Sequence, residues 1–166
     1  MTIRPIRILG DAVLRTPAEE VRSFDAELRA LVKDLMDTLL GAPGRAGVAA
    51  PQIGVGARVF AYDAAGALGY VVNPVLEVSE ERQDGDEGCL SLPGLYFDTP
   101  RAARATVRGL NQHGEPFEVS GEGFLARALQ HETDHLDGVL YVDRLTGDTR
   151  RQALRAVRSA PWARTP

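Results

Sequence analysis

The chain of 166 residues has a single cysteine, Cys89, so no disulfide can form within it. A lone thiol fits a reducing compartment, and it is an inert buried group, a nucleophile or a metal ligand. No apolar run is long enough to cross a bilayer. Residues 1–14 carry arginines but no sustained apolar stretch before a small-residue cleavage site, so no secretory signal is expected. Basic excess is missing too: the formal net charge is −4, which argues against a nucleic-acid-binding domain. Repeats and low-complexity segments are absent. What is left is 44% apolar and 25% charged, the composition of one globular domain with a real core.

Apolar residues at helical spacing (Leu28, Leu31, Val32, Leu35, Leu39) predict a helix over residues 25–40, capped by Ser23 or Asp25 and stopped by Gly41 and Pro43. Residues 44–52, rich in Gly, Ala and Pro, read as a loop or irregular extended segment. Strands are expected at 58–62 and 70–72 around a turn at 64–69. Asn73-Pro74 breaks the pattern, 75–78 resumes it, and the acidic stretch 79–88 reads as a loop. Residues 103–110 and 116–120 form two strands around a hairpin-like connection at 111–114. Helices follow at 123–136 and 150–157. Strands in the middle and helices at both sides, without regular alternation, predict an α+β fold. Its strands are expected to pair mainly antiparallel. The expected division is one main unit over 1–149 and a basic tail over 150–166, bearing Arg150, Arg151, Arg155, Arg158 and Arg164.

The chemistry concentrates in that second helix. His131-Glu132-Thr133-Asp134-His135 is an H-E-x-x-H pattern, and two of the three histidines of the chain fall in it. At about 100° per residue, His135 sits about 40° around the axis from His131 and one turn along it. Both imidazoles can reach one ion, with Glu132 beside them as a base rather than a ligand. The plain alternative is a solvated helix face that carries two histidines.

A catalytic metal usually takes three protein ligands and leaves one position open. No histidine follows Gly138, whereas Cys89 stands upstream in Glu87-Gly88-Cys89-Leu90-Ser91. Sulfur with two imidazoles suits zinc or ferrous iron. A downstream carboxylate (Asp137, Asp143 or Asp148) is the other source of a third ligand. Two further readings share parts of the pattern. A zinc endopeptidase would not need Cys89. A metal-stabilised binding module would have no use for Glu132.

Three segments together resemble the peptide deformylase family. Gly47-Val48-Ala49-Ala50-Pro51-Gln52 is similar to its G-x-A-A-x-Q loop, Glu87-Gly88-Cys89-Leu90-Ser91 to its E-G-C-L-S motif, and Gln130-His131-Glu132-Thr133-Asp134-His135 to its Q-H-E-x-D-H helix. They stand in the family's order, and lesser matches extend the resemblance to about residue 149. In one departure, Arg45 occupies the position, two before Gly47, where the family's loop commonly has glycine.

The resemblance implies removal of the formyl group from the N-terminal methionine of newly made polypeptides by a metal-dependent hydrolase. It implies one divalent metal on Cys89, His131 and His135: Fe2+, with Zn2+, Ni2+ or Co2+ as substitutes. It makes Glu132 the acid and base, with the Gln52 amide and the Leu90 N–H as oxyanion donors. Gly47 is then a backbone partner of the peptide, and the implied fold packs mainly antiparallel sheets around the helix that carries the H-E-x-x-H pattern. Helix geometry puts Phe124 and Ala128 on the His131 face, where they line a methionine pocket, although plain core packing would equally explain Phe124. Asp134 is expected to orient a histidine, Arg127 to meet a carboxylate, and Glu87 to pair with Arg101. The expected setting is a cytoplasmic monomer, off the membrane, acting on formyl-methionyl nascent peptides and reaching ribosomal RNA through the basic tail.

Overall fold

The computed structural model describes residues 2–164; Met1, Thr165 and Pro166, the outermost residues of the two expected segments, lie outside it. In chain order the elements are α1 (Ala26–Leu40), β1 (Gly47–Ala49), β2 (Val59–Ala64), β3 (Ala67–Val78), β4 (Arg82–Gln83), β5 (Asp86–Cys89), β6 (Leu92–Asp98), β7 (Arg101–Ala102), β8 (Arg104–Leu110), β9 (Pro116–Glu122), α2 (Gly123–Leu136) and α3 (Gly147–Ser159). All strand pairings between them are antiparallel. The main sheet runs β1-β2-β3-β8-β9, and two small ladders pair β4 with β7 and β5 with β6. The fold is α+β, as the sequence predicts.

Both faces of β2 are covered, which is why its sequence lacks polar alternation. Val59 and Ala61 pack with Leu28, Val32, Leu35 and Leu39 of α1. Phe60, Tyr62 and Ala64 pack with Leu125, Leu129 and Leu136 of α2. Successive side chains point to opposite faces, so one strand serves two cores. The same alternation in β1 sends Val48 toward α1 and Ala49 toward α2. A third cluster joins Leu92, Leu140, Tyr141 and Leu145 to Ala153 of α3, with Val157 and Trp162 against it.

Asp25 caps α1 by accepting from the Leu28 N–H at 3.1 Å. The helix α2 spans 123–136 as expected, and α3 starts at Gly147, three residues before its predicted start. Elsewhere the sequence reading needs correction. The expected turn at 64–69 is a two-residue hairpin, with Ala64 paired to Ala67 and positive φ at Ala65 and Gly66. Asn73-Pro74 does not end its strand. Asn73 takes φ 52° in a bulge, its side chain clamps both polar groups of the Val21 backbone, and β3 runs on to Val78. The supposed loop 79–88 contains β4 and most of β5, whose polar composition hid their pairing with β7 and β6.

Candidate active site

The candidate ligands come from two different constraints. Cys89 ends β5, where the ladder with β6 shifts register between Gly88 and Cys89. That irregularity turns Cys89 inward toward α2. His131 and His135 lie one turn apart on α2, whose residues 125–136 are all buried. The three donor atoms fall within 4.8 Å of one another. Cys89 Sγ is 3.3 Å from His135 Nε2, which is 3.2 Å from His131 Nε2.

These spacings suit a cation. Two nitrogens each about 2.0–2.1 Å from one tetrahedral ion stand about 3.3 Å apart. The donor set, one thiolate and two imidazoles, is that of a zinc or ferrous site. Electrostatics agrees. Burial pushes His135 well below the ordinary imidazole range. At His131 burial is outweighed by Cys89 and by the Glu87 carboxylate, which hold it well above that range. The cluster therefore favours one positive charge at its centre, as a proton or as a metal ion.

Glu132 is 3% exposed, with Oε1 4.0 Å from His131 Nε2 and Oε2 buried without a hydrogen-bond partner. Burial pushes its carboxyl up to about 7. That value allows it to accept and return a proton near neutral pH. Gly47 explains its placement. A Cβ on Gly47 would collide with the Glu132 carboxyl, so β1 packs directly against the helix there. The close approach between strand and carboxylate accounts for this glycine better than a turn does.

Gln52 is 1% exposed and follows β1 in a 3-10 turn. Its Oε1 accepts from the Ala49 N–H at 2.9 Å, which aims Nε2 at Ser91 Oγ (3.1 Å) and Cys89 Sγ (3.7 Å). A cavity of about 410 Å³ opens here, lined by Gly47, Gln52, Leu90, Phe124, Ala128 and Glu132, together with Cys89 and His131. Phe124 is 55% exposed at its rim, so core packing does not account for it. A larger groove, about 1080 Å³, lies between residues 19–25 and α1 and touches none of these side chains.

Behind the candidate ligands runs a buried ionic chain. Glu87 accepts from His131 Nδ1 (2.6 Å), from Arg101 Nε and Nη2 (2.9 and 2.6 Å), and from Arg127 Nη1 (2.9 Å). Burial pushes the Glu87 carboxyl up, but Arg101 and His131 outweigh it and hold it well below the ordinary carboxylate range. The expected Glu87–Arg101 pair is present and buried on both sides. Arg127 finds its carboxylate in Glu87. The expectation for Asp134 is corrected: its carboxylate takes Arg101 Nη1 (2.7 Å) and Arg144 Nη2 (2.7 Å), and no histidine. Glu87 already occupies His131 Nδ1, and two guanidiniums offer Asp134 stronger, charge-assisted donors. Arg144 and Tyr141, whose ring stacks on His131 at 6.1 Å, escaped the sequence reading. Nothing in their spacing marks them.

Comparison with known proteins agrees along the whole chain. The family model of polypeptide deformylase matches residues 3–151. A peptide deformylase of Acidothermus cellulolyticus is 60% identical over 98% of this chain and 90% of its own length. One of Parafrankia sp. is 55% identical over 100% of this chain and 91% of its own. The crystal structure of a peptide deformylase from Legionella pneumophila superposes with a TM-score of 0.87 at 42% identity, covering 99% of this chain and 100% of that one. The chain thus belongs to the polypeptide deformylase family, the metal-dependent hydrolases that remove the N-formyl group from newly made polypeptides.

Proposed function

We propose that Cys89, His131 and His135 hold one ferrous ion, replaceable by Zn2+, Ni2+ or Co2+, and that Glu132 is the acid and base of deformylation. The observation that carries this reading is the convergence of three donor atoms within 4.8 Å beside a buried carboxylate with an unpartnered oxygen, in a cavity. A divalent ion so held supplies positive charge and lowers the pKa of water.

The protein's own groups then do the following. Glu132 takes the proton of the attacking water and returns it to the departing methionine amine as the C–N bond breaks, leaving formate. Help of this kind is worth about a hundred- to ten-thousand-fold. The Gln52 Nε2 and the Leu90 N–H donate to the oxyanion that forms on the formyl carbon, each worth about 3 kcal/mol. Phe124 and Ala128 flank the methionine side chain. The peptide runs along Gly47, because β1 is an edge strand of the main sheet and offers free backbone groups to an added strand.

Residues 1–149 make up the catalytic unit. The basic tail, with Arg150, Arg151, Arg155 and Arg158 all exposed, draws the enzyme to ribosomal RNA. No helix among the described residues is long and apolar enough to cross a membrane. The proposed setting is action on formyl-methionyl nascent chains in the cytoplasm, as a monomer.

The test of the site is Glu132→Gln. Turnover of formyl-Met-Ala-Ser should fall at least about a hundredfold while one metal per chain is kept. Near-normal activity of the metal-loaded variant would overturn the role of Glu132.

A further inference from the structure

Arg45 is the residue by which this chain departs from its family's loop, and the proposed function leaves it unused. It lines the cavity with Gly44, Ala46 and Gly47 and is half-buried. Its Nη1 donates to the carbonyl of Thr38 in the last turn of α1. That turn has no basic residue of its own, so Arg45 fills the place of a C-terminal cation. The contact fixes the guanidinium in space, which lowers the entropy lost when a second partner is met.

Arg45 meets a helix C-terminus but, among the described residues, no carboxylate. The other guanidinium of the cavity, Arg127, is neutralised by Glu87. Among the described residues no carboxylate pairs with Arg45. The one exposed carboxylate at the cavity, Asp86, belongs to β5 and not to the loop of Arg45. Arg45 stands two residues before Gly47, roughly 6–7 Å of extended chain. A peptide lying on the free edge of β1, with its formyl group at Glu132, brings the residues that follow methionine alongside Arg45.

We propose that Arg45 is a specificity-determining residue that favours formyl-methionyl peptides with acidic side chains in the first two positions after methionine. This rests on the proposed function and deepens it. The contact is an ion pair at a solvated rim, so its effect is modest and falls with salt.

The test compares formyl-Met-Asp-Asp-amide with formyl-Met-Lys-Lys-amide, using metal-loaded wild type and Arg45→Met. The quantity read is the ratio of the two kcat/KM values within one preparation, which does not depend on the fraction of enzyme folded. The ratio should favour the acidic peptide less in Arg45→Met by about three- to tenfold at low salt, and the wild-type ratio should shrink toward the variant's at about 0.5 M salt. Equal ratios in the two proteins would overturn the assignment of Arg45. Absence of formate from both peptides with wild type would overturn the underlying function, and the proposal with it.

Discussion

Replacing Glu87 by glutamine should cost both folding stability and metal affinity, and the size of the loss follows from its contacts. The carboxylate is 4% exposed and takes four hydrogen bonds: two from Arg101, one from Arg127 and one from His131. Each oxygen receives two of them. In Glu87→Gln one oxygen becomes an NH2 group, so two donors face a donor whichever way the amide turns. The negative charge goes as well, leaving Arg127 without a carboxylate and Arg101 with Asp134 alone. Breaking a buried pair in this way costs about 3–5 kcal/mol. For a domain of this size that lowers the melting temperature by about 6–20 °C. The loss of the anionic partner on His131 Nδ1 should weaken metal binding about ten- to a hundredfold.

Folding holds the Glu87 carboxyl below its ordinary value of 4.5, so the native state binds fewer protons there than the unfolded chain. The stability gap between wild type and variant is therefore largest above pH 4.5 and closes as acid protonates Glu87. Thermal melts across pH, with competition for metal by a chelator, measure both effects. A variant that melts within 2 °C of wild type, and holds metal as tightly, would refute the reasoning.

Other outcomes follow from the same geometry. Gly47→Ala must displace the Glu132 carboxyl, so kcat should fall at least tenfold with metal content unchanged, read by steady-state kinetics and metal analysis. Cys89→Ala removes the only sulfur donor, and the purified protein should hold well under one metal per chain by elemental analysis. Arg144→Ala deprives Asp134 of one of its two guanidiniums at a half-exposed site, and should cost about 1 kcal/mol or less by urea unfolding. Reversing Arg150, Arg151, Arg155 and Arg158 to glutamate should weaken co-sedimentation with ribosomes. This is a cleaner test than truncating the tail, because Ala153, Val157 and Trp162 pack into the third core cluster.

The sequence was most legible where one local rule acts alone. The spacing of apolar residues and the Asp25 cap placed α1, and the glycines at 123 and 138 bracketed α2. The candidate ligands on α2 could be read because two histidines one turn apart have a geometry set by the helix itself. The hairpin of β5 and β6 could not. Its strands are polar and rich in glycine, and they owe their pairing to what surrounds them. Gly88 carries the Tyr96 ring across its bare backbone, and the Glu87 side chain is drawn inward by two guanidiniums and an imidazole N–H. Contacts made between distant segments were equally hidden. The packing of Gly47 on Glu132, and the choice of Arg101 and Arg144 by Asp134, depend on how β1, β7 and α2 are brought together.

The most direct test of the central claim is formate release from formyl-Met-Ala-Ser by anaerobically purified protein, with bound metal quantified in the same sample. Rapid release with one metal per chain, lost together when the metal is stripped and regained together when Fe2+ is returned, is the predicted result. A folded protein with its site filled that releases no formate would contradict the account.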